Sequence, residues 1–177
     1  MPRPGCMGPE RGYRVRPAEP ADAGPFLELK LALDGETGFM MLEPGERLET
    51  VEEVARHLAE VGRRANSTIL LAEEAGRLLG YVEAEGGAYR RNRHAAYVVI
   101  GVRRAGAGRG IGTALLHDLD AWAADHAVHR LELTVMAHNE RAIGLYRRCG
   151  YELEGTRRHS LRVGGRYVNE LALARLL

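Results

Sequence analysis

Four glycines at alternate positions, Gly106, Gly108, Gly110 and Gly112, follow an apolar strand and open a helix. A glycine inside a helix costs up to about 1 kcal/mol relative to alanine, so this spacing is poor for local stability. The predicted first turn also carries Arg109 and no acidic residue, although the helix dipole favours negative charge there. Both features are explained if an external anion lies at this helix end, where free backbone N–H groups bind it.

The spacing of the glycines narrows the choice of anion. The dinucleotide fingerprint G-x-G-x-x-G fails in both registers, because its last position falls on Ile111 or Thr113. The mononucleotide P-loop fails as well, since no lysine follows any of these glycines. On the glycines alone, a glycine-rich loop without a ligand stays open as the alternative.

The run GRGIGTALL after a strand that ends in valine resembles the acyl-CoA signature of the GNAT superfamily of N-acetyltransferases. That signature reads Gln/Arg-x-x-Gly-x-Gly/Ala; Gly110 and Gly112 take its two small positions, and Ala107 departs from its Gln/Arg position. The resemblance implies that acetyl-CoA binds here as co-substrate, mainly through backbone N–H groups, with Arg104 or Arg109 supplying positive charge. The cofactor-binding residues that it implies in this segment are Ile100, Gly101, Val102, Arg104, Ala107, Gly108, Arg109, Gly110, Ile111, Gly112 and Thr113.

A second segment, VMAHNERAIGLYRRCGY, resembles the other signature of the family, a strand followed by N-x-x-A-x-x-L-Y-x-x-x-G-F/Y. Its position after the first signature matches the family, and the resemblance extends over roughly residues 12–173. It implies that Asn139 and Ala142 bind the CoA arm and that Tyr146 lies beside the thioester sulfur. The residues alone leave two structural alternatives open: Asn139 as a helix cap and Tyr146 as a core tyrosine.

Acetyl transfer to an amine requires an acid and a base. The amine attacks the thioester carbonyl, a tetrahedral oxyanion forms, and CoA leaves as a thiolate. The resemblance implies that backbone N–H groups near Val102 meet the oxyanion, and a tyrosine hydroxyl such as that of Tyr146 suits protonation of the thiolate. Glu83, Glu85 and His94 are candidates for the base, although the sequence alone favours an ordinary surface residue at each of these positions. Glu83 is the predicted catalytic base.

The segment 34–48 is predicted to be a loop because it contains three glycines and a proline. Four consecutive apolar residues at 39–42 are unusual in a solvated loop, so we expect them to be packed. In the family this connection lines the acceptor cleft, and we expect Glu36, Phe39 and Glu43 to bind a cationic acceptor. A subunit contact or a core plug is the alternative.

Apolar periodicity predicts a mixed α/β chain, with antiparallel strands first and a strand–helix–strand crossover after them. Helices are predicted at 20–33, 50–61, 110–125 and 139–148. Strands are predicted at 13–16, 68–72, 78–85, 95–102, 131–136, 156–163 and 166–173. We expect strand 95–102 to be buried on both faces. The resemblance implies an α/β fold of the α+β type: a mixed, mostly antiparallel sheet of six to seven strands, flanked by about four helices.

Composition limits the classes of protein. The 177 residues suit a single domain at 13–177 after a disordered segment 1–12, and the net charge of +1 argues against nucleic-acid binding. No apolar run approaches the roughly 20 residues that cross a bilayer. The two cysteines and seven histidines lack metal-ligand spacing, so no metal is expected.

The sequence therefore predicts a cytoplasmic acyltransferase that moves an acetyl group from acetyl-CoA directly to a primary amine. The acceptor is a small-molecule amine, an amino acid or a peptide or protein N-terminus, and the family makes a homodimer plausible. Two alternatives are a non-catalytic acyl-CoA-binding sensor on the same fold and a protein that binds another nucleotide at the glycine-rich turn.

Overall fold

The structure, a computed structural model, describes residues 12–177. The strands are Arg14–Pro17 (β1), Thr68–Glu74 (β2), Arg77–Gly86 (β3), Ala95–Val102 (β4), Arg130–Met136 (β5), Glu152–Val163 (β6) and Arg166–Leu176 (β7). The α-helices are Ala23–Glu36 (α1), Val51–Arg63 (α2), Ile111–Asp125 (α3) and Glu140–Arg148 (α4). Every predicted helix and strand is present, with ends that differ by a few residues. The predicted disordered segment lies outside the described residues, apart from Gly12.

One seven-stranded sheet holds all of these strands, in the order β1-β2-β3-β4-β5-β7-β6. Every neighbouring pair is antiparallel except β4 and β5, which the α3 crossover joins in parallel. This arrangement confirms the predicted mixed, mostly antiparallel sheet with four helices.

Helix ends follow local hydrogen bonding. At the start of α2 the predicted capping box is confirmed: Thr50 accepts from the Glu53 amide at 3.2 Å, and Glu53 accepts from the Thr50 amide at 2.8 Å. The C-terminal end of α1 extends past the predicted residue 33. Arg47 donates to both carboxylate oxygens of Asp34, at 2.6 and 3.0 Å, and this buried ion pair holds the last helical turn in place.

Two apolar layers cover the sheet, one on each face. Helices α1 and α2 pack on one face through residues that include Phe26, Leu29, Leu33, Val54 and Leu58. Helices α3 and α4 pack on the other face, in a larger cluster that includes Leu115, Leu119, Leu131, Leu133 and Ile143. No helix within residues 12–177 combines the length and apolar character needed to span a membrane.

Strand β4 corrects one expectation. We expected it to be buried on both faces, but the side chains of Tyr97 and Val99 are 42% and 38% exposed. On this face α1 contacts β4 closely at Gly101, where a Cβ atom would lie 2.6 Å from Leu33 Cδ1. The middle of the strand is therefore left open to solvent on the α1/α2 side.

Candidate active site

The backbone of β4 presents hydrogen-bonding groups to both neighbouring strands in alternation. The Arg103 amide, one residue past the strand, donates to the Leu79 carbonyl on β3 at 2.8 Å, so odd-numbered residues direct their backbone groups toward β3. At the other end, the His94 carbonyl accepts from the Arg130 amide at 3.0 Å. Even-numbered residues of β4 therefore direct their backbone groups toward β5.

A gap opens between β4 and β5 along the second half of both strands. The parallel ladder joins three residue pairs and ends at Tyr97 and Glu132. Beyond that pair, the backbone groups of Ile100 and Val102 on β4 and of Thr134 on β5 point into the gap without a ladder partner among the described strands. Unpaired backbone groups inside a sheet are available to an extended ligand that has amide groups of its own.

On the α1/α2 face of the sheet, side chains of β4 and β5 border the gap. The Tyr97 hydroxyl lies 2.8 Å from Thr134 Oγ1, so a hydrogen bond spans the strands close to the point where their ladder ends. Val99 is the next residue of β4 on the same face, and its register partner on β3 is Glu83. The predicted base therefore lies on the open face of the sheet, one strand away from the gap.

The glycine-rich turn connects the gap to α3. A turn of 3-10 helix at Arg104–Gly106 follows β4, and α3 then begins after Gly110. Gly108 and Gly110 have φ values of 77° and 78°, in the left-handed region that favours glycine. The backbone conformation alone therefore accounts for glycine at these two positions, whether or not a ligand binds.

No side chain among residues 12–177 caps the N-terminus of α3. Gly110 supplies no side chain, the first turn holds no acidic residue, and the first helical hydrogen bond runs from the Ala114 amide to the Gly110 carbonyl at 2.9 Å. The amides of Ile111, Gly112 and Thr113 consequently point out of the helix end. An anion at this end would meet both the bare N–H groups and the positive end of the helix dipole.

Several amides of the turn are not bare, among them those of Gly106, Ala107 and Arg109. The Ala107 amide donates to the Arg104 carbonyl at 3.1 Å, and the Arg109 amide donates to the Gly106 carbonyl at 3.4 Å. The expectation of free backbone N–H groups thus applies to the start of α3 and not to the whole glycine-rich run. Ala107 and Arg109 can contribute to an anion site only through other atoms.

Both arginines proposed for the anion already have acidic or carbonyl partners. Arg109 forms an exposed ion pair with Glu74, with Nη1 at 3.0 Å from Oε2, and this pair holds the pKa of the Glu74 carboxyl below its usual range. The Arg104 guanidinium donates to the Glu36 carbonyl at 2.9 Å. Arg109 remains near the helix end, and its exposed bridge can exchange partners at small cost.

Glu36 connects α1 to the glycine-rich turn. One carboxylate oxygen accepts from the Arg104 amide at 2.7 Å, and the other accepts from the Arg103 guanidinium at 2.7 Å. The Arg104 amide, followed by Arg103, lowers the pKa of the Glu36 carboxyl. Because its charge is neutralised by arginine, this carboxylate is a better anchor for the turn than a site for a cationic acceptor.

The other predicted acceptor residues lie in the α1–α2 loop. Phe39 is 42% exposed, and its ring centroid lies 5.2 Å from that of His138 in the β5–α4 turn. The expectation that residues 39–42 are all packed is wrong: Met41 is 68% exposed, whereas Met40 packs against the α1–α2 cluster. Glu43 is exposed. The loop therefore approaches the β5–α4 turn, which lies past the C-terminal ends of β4 and β5.

Asn139 and Ala142 begin α4. Asn139 Oδ1 accepts from the Ala142 amide at 3.2 Å, so the structural role of Asn139 as an N-cap is confirmed. The amide nitrogen of the Asn139 side chain is left to donate to a ligand. Helix α4 also lies close to α3, since a Cβ atom at Gly112 would be 2.9 Å from Leu145 Cδ2.

Tyr146 lies on the inner face of α4, with 7% of its surface exposed. Burial is the main cause that raises the pKa of its hydroxyl, and the nearby Tyr97 hydroxyl adds to the effect. Tyr97 is a residue of the gap, and Tyr146 lies within electrostatic range of it on the α3/α4 side of the sheet. The Tyr146 hydroxyl therefore stays protonated at neutral pH and has a proton to donate, but its raised pKa makes it a weaker acid than an exposed tyrosine.

The three candidate bases are in different surroundings. Glu83 is 18% exposed and lies one strand away from the gap, with Oε1 at 2.6 Å from His57 Nε2. Glu85 forms an exposed ion pair with Arg64, and His94 is exposed at the opposite end of β4. Of these three, Glu83 alone combines a position next to Val99 with restricted access to solvent.

His57 is the residue that sequence reasoning missed. It lies on α2 between the buried residues Val54, Leu58 and Val61, and a carboxylate 26 residues away on β3 is its partner. A polar residue on the inner side of an otherwise apolar helix face was the available signal. Among the described residues, no cluster of His, Cys, Asp and Glu could hold a metal ion.

Several known proteins are similar to this chain in sequence or in fold. Residues 37–151 match the model of the acetyltransferase (GNAT) family. The L-amino acid N-acetyltransferase AaaT of Escherichia coli (strain K12) is 33% identical over 106 residues, which cover 57% of this chain and 63% of that relative. The match thus spans less than two thirds of the curated relative's length.

Solved structures extend the comparison to most of the chain. A GNAT-family acetyltransferase from Streptococcus pneumoniae superposes with a TM-score of 0.91 at 28% identity, over 93% of this chain and 99% of that one. The structure of yncA from Salmonella typhimurium with its cofactor acetyl-CoA has the same fold, with a TM-score of 0.83 at 19% identity, over 93% and 94%.

The family model covers the α1–α2 loop, both sides of the gap, the glycine-rich turn and α4, so the match includes the segments that form the candidate site. It also confirms the family resemblance that was predicted from the two signatures. On this evidence the chain belongs to the acetyltransferase (GNAT) family.

Proposed function

We propose that this protein is an N-acetyltransferase that moves an acetyl group from acetyl-CoA directly to a primary amine. The observation that carries the proposal is the gap between β4 and β5, which leads to the uncapped N-terminus of α3. One continuous path thus offers backbone partners for an extended amide-containing arm and N–H groups for a diphosphate. Coenzyme A has both parts in that order.

The donor is held chiefly by main-chain groups. The diphosphate binds the amides of Ile111, Gly112 and Thr113. The arm that follows it carries two amide groups and lies in the gap like an added strand, against the free backbone groups of Ile100 and Val102. A structure that shares this fold, yncA, holds acetyl-CoA, which supports the choice of donor.

The reaction needs no covalent enzyme intermediate. The amine nitrogen attacks the thioester carbonyl, the C–S bond breaks, and the CoA thiolate takes a proton from Tyr146. An ammonium acceptor loses two protons in all: one leaves through Glu83, and the other replaces the proton that Tyr146 gave to sulfur. Cys149 is a poor alternative nucleophile, because burial raises the pKa of its thiol.

The acceptor that the chemistry favours is an α-amine of a small molecule, such as an amino acid. An α-amine with a pKa near 8 loses its proton at a cost of about 1 kcal/mol near neutral pH, against about 4 kcal/mol for a lysine-like amine. The name of the curated relative, an L-amino acid N-acetyltransferase, points in the same direction. A homodimer and a cytoplasmic location stay predictions.

A thiol-release assay with acetyl-CoA tests the proposal. The purified chain is offered L-amino acids, peptides with free N-termini, polyamines and aminoglycosides, and the acetylated product is identified by mass. We expect release of free CoA that depends on an amine and is strongest with an α-amine. Tight binding of acetyl-CoA by calorimetry without transfer to any amine would instead establish the non-catalytic sensor.

A further inference from the structure

The contact between Glu83 and His57 is not explained by the fold. Both side chains are partly accessible, 18% and 35% exposed, and their oxygen and nitrogen lie 2.6 Å apart. Such a short contact is typical of a charge-assisted hydrogen bond. Glu83 lies deeper, beside Val99 at the gap, and His57 lies nearer to solvent.

The other charges that face His57 come from α1 and from the α1–α2 loop. Lys30 Nζ lies 2.8 Å from Glu49 Oε2, and Arg47 binds the same carboxylate oxygen at 2.7 Å. Arg47 also binds Asp34, so this network next to the His57–Glu83 pair contains two cations and two carboxylates whose charges balance. Glu83 therefore dominates the electrostatic environment of the imidazole and raises the pKa of His57 above its usual value.

We propose that His57 is a positioning residue for the acetyl transfer: it holds the Glu83 carboxylate on the open face of the sheet, one strand from the gap, and sets the pH at which the pair takes up the acceptor's proton. The inference rests on the proposed function. The step itself is a proton transfer only. An N–H bond of the attacking amine breaks, its electron pair stays on nitrogen, and the proton joins the Glu83–His57 pair before it passes to water at the exposed imidazole.

Replacement of His57 by glutamine separates positioning from titration, since an amide N–H can still donate to Glu83. In the wild type, kcat/KM rises with pH as the pair loses its proton, with a midpoint above about 6.5. His57→Gln has no imidazole to titrate, so the rise of kcat/KM near neutral pH is lost. The plateau falls about tenfold or more, because the imidazole no longer takes part in accepting the proton.

Two further variants complete the test. His57→Ala removes the donor as well, and we expect a larger loss of kcat that added imidazole partly restores. His126→Gln, on the opposite face of the sheet, serves as the matched control and retains the wild-type profile. Acetyl-CoA affinity, measured by calorimetry, is expected to stay within about twofold in all three variants.

The outcomes distinguish this inference from the proposed function. A pH profile of His57→Gln that superimposes on the wild type, with normal kcat, overturns the role of His57 while leaving acetyl transfer intact. A wild-type protein that acetylates no amine overturns both. The contact itself has an independent readout: NMR titration of the His57 ring must show a lower pKa in Glu83→Gln than in the wild type.

Discussion

Tyr146 and Tyr151 have rings in contact, with centroids 5.7 Å apart, but their hydroxyl groups differ in what they face. The Tyr151 hydroxyl is buried and has no hydrogen-bond partner within the described residues, whereas the Tyr146 hydroxyl lies within electrostatic range of Tyr97 at the gap. Tyr151 therefore serves as a control for Tyr146: the Tyr146 hydroxyl is proposed to donate a proton, and no role in the reaction is proposed for the Tyr151 hydroxyl.

We expect Tyr146→Phe to lower kcat about a hundredfold, because the leaving thiolate loses its proton donor. Acetyl-CoA affinity is expected to change little. Tyr151→Phe should retain full activity, and its free energy of unfolding should be unchanged or higher, since it removes an unsatisfied buried hydroxyl. Thiol release, calorimetry and thermal unfolding measure the three quantities. Equal kcat in Tyr146→Phe and wild type would remove the acid role.

Asn139 combines a structural role with a proposed ligand contact, and its two side-chain atoms allow them to be separated. Asn139→Asp keeps the oxygen that caps α4 and loses the N–H donor, so we expect unchanged stability and weaker acetyl-CoA binding. Asn139→Ala loses both, and we expect about 1 kcal/mol lower stability as well. If Asn139→Asp binds acetyl-CoA like the wild type, the residue is a cap and nothing more.

Among the helices and strands, the N-terminus of α3 is the feature on which the proposed donor binding depends. Gly110 precedes it in a left-handed conformation that asparagine and aspartate tolerate better than other side chains. Gly110→Asp and Gly110→Asn introduce the same shape, but only aspartate adds negative charge. The helix dipole favours that charge and a bound diphosphate is repelled by it, so stability and affinity should change in opposite directions.

We expect Gly110→Asp to bind acetyl-CoA at least about tenfold more weakly than Gly110→Asn, which corresponds to about 1.4 kcal/mol. The unfolding midpoint of Gly110→Asp should equal or exceed that of Gly110→Asn. Calorimetric titration and thermal unfolding give both values. Equal affinities of the two variants would show that no anion occupies this helix end.

Local signals predicted most of the elements, because caps, turns and apolar periodicity act within a few residues. The capping box of Thr50 and Glu53 and the N-cap at Asn139 are examples. The exposure of Val99 was missed, because it depends on which parts of β4 the helices α1 and α2 leave uncovered. The contact of His57 with Glu83 was missed for the same reason, since it requires α2 to be docked on β3.

The gap between β4 and β5 connects the two faces of the sheet. Helices α3 and α4 supply the bare helix end and Tyr146 on one side, and the other side presents Glu83, Tyr97 and Val99. A donor that enters along α3 and an acceptor that enters from the α1/α2 side would meet between β4 and β5. In the proposed reaction, this two-sided access separates Tyr146, the acid, from Glu83, the base, so neither has to take the other's role.

The free energy of unfolding should depend on pH in opposite directions at acidic pH, where Asp22 titrates, and near neutral pH, where His57 titrates. Arg16 lowers the pKa of the Asp22 carboxyl, so that pair stabilises the fold above the ordinary carboxyl pKa and is lost as the pH falls through the lowered value. For His57 the sign is reversed: a raised pKa gives stability that is complete below the ordinary histidine value and is lost as the pH rises through the folded-state value.

The histidine contribution can be isolated by comparing wild type with His57→Gln. Glutamine keeps a hydrogen bond to Glu83 but cannot gain a positive charge, so the stability difference between the two proteins should be largest near pH 5.5 and should shrink by pH 8.5. Carboxylate pairs elsewhere are common to both proteins and cancel in the difference. Thermal unfolding at a series of pH values measures it without any substrate, and a difference independent of pH would mean that the imidazole and the Glu83 carboxylate do not form an ion pair in solution.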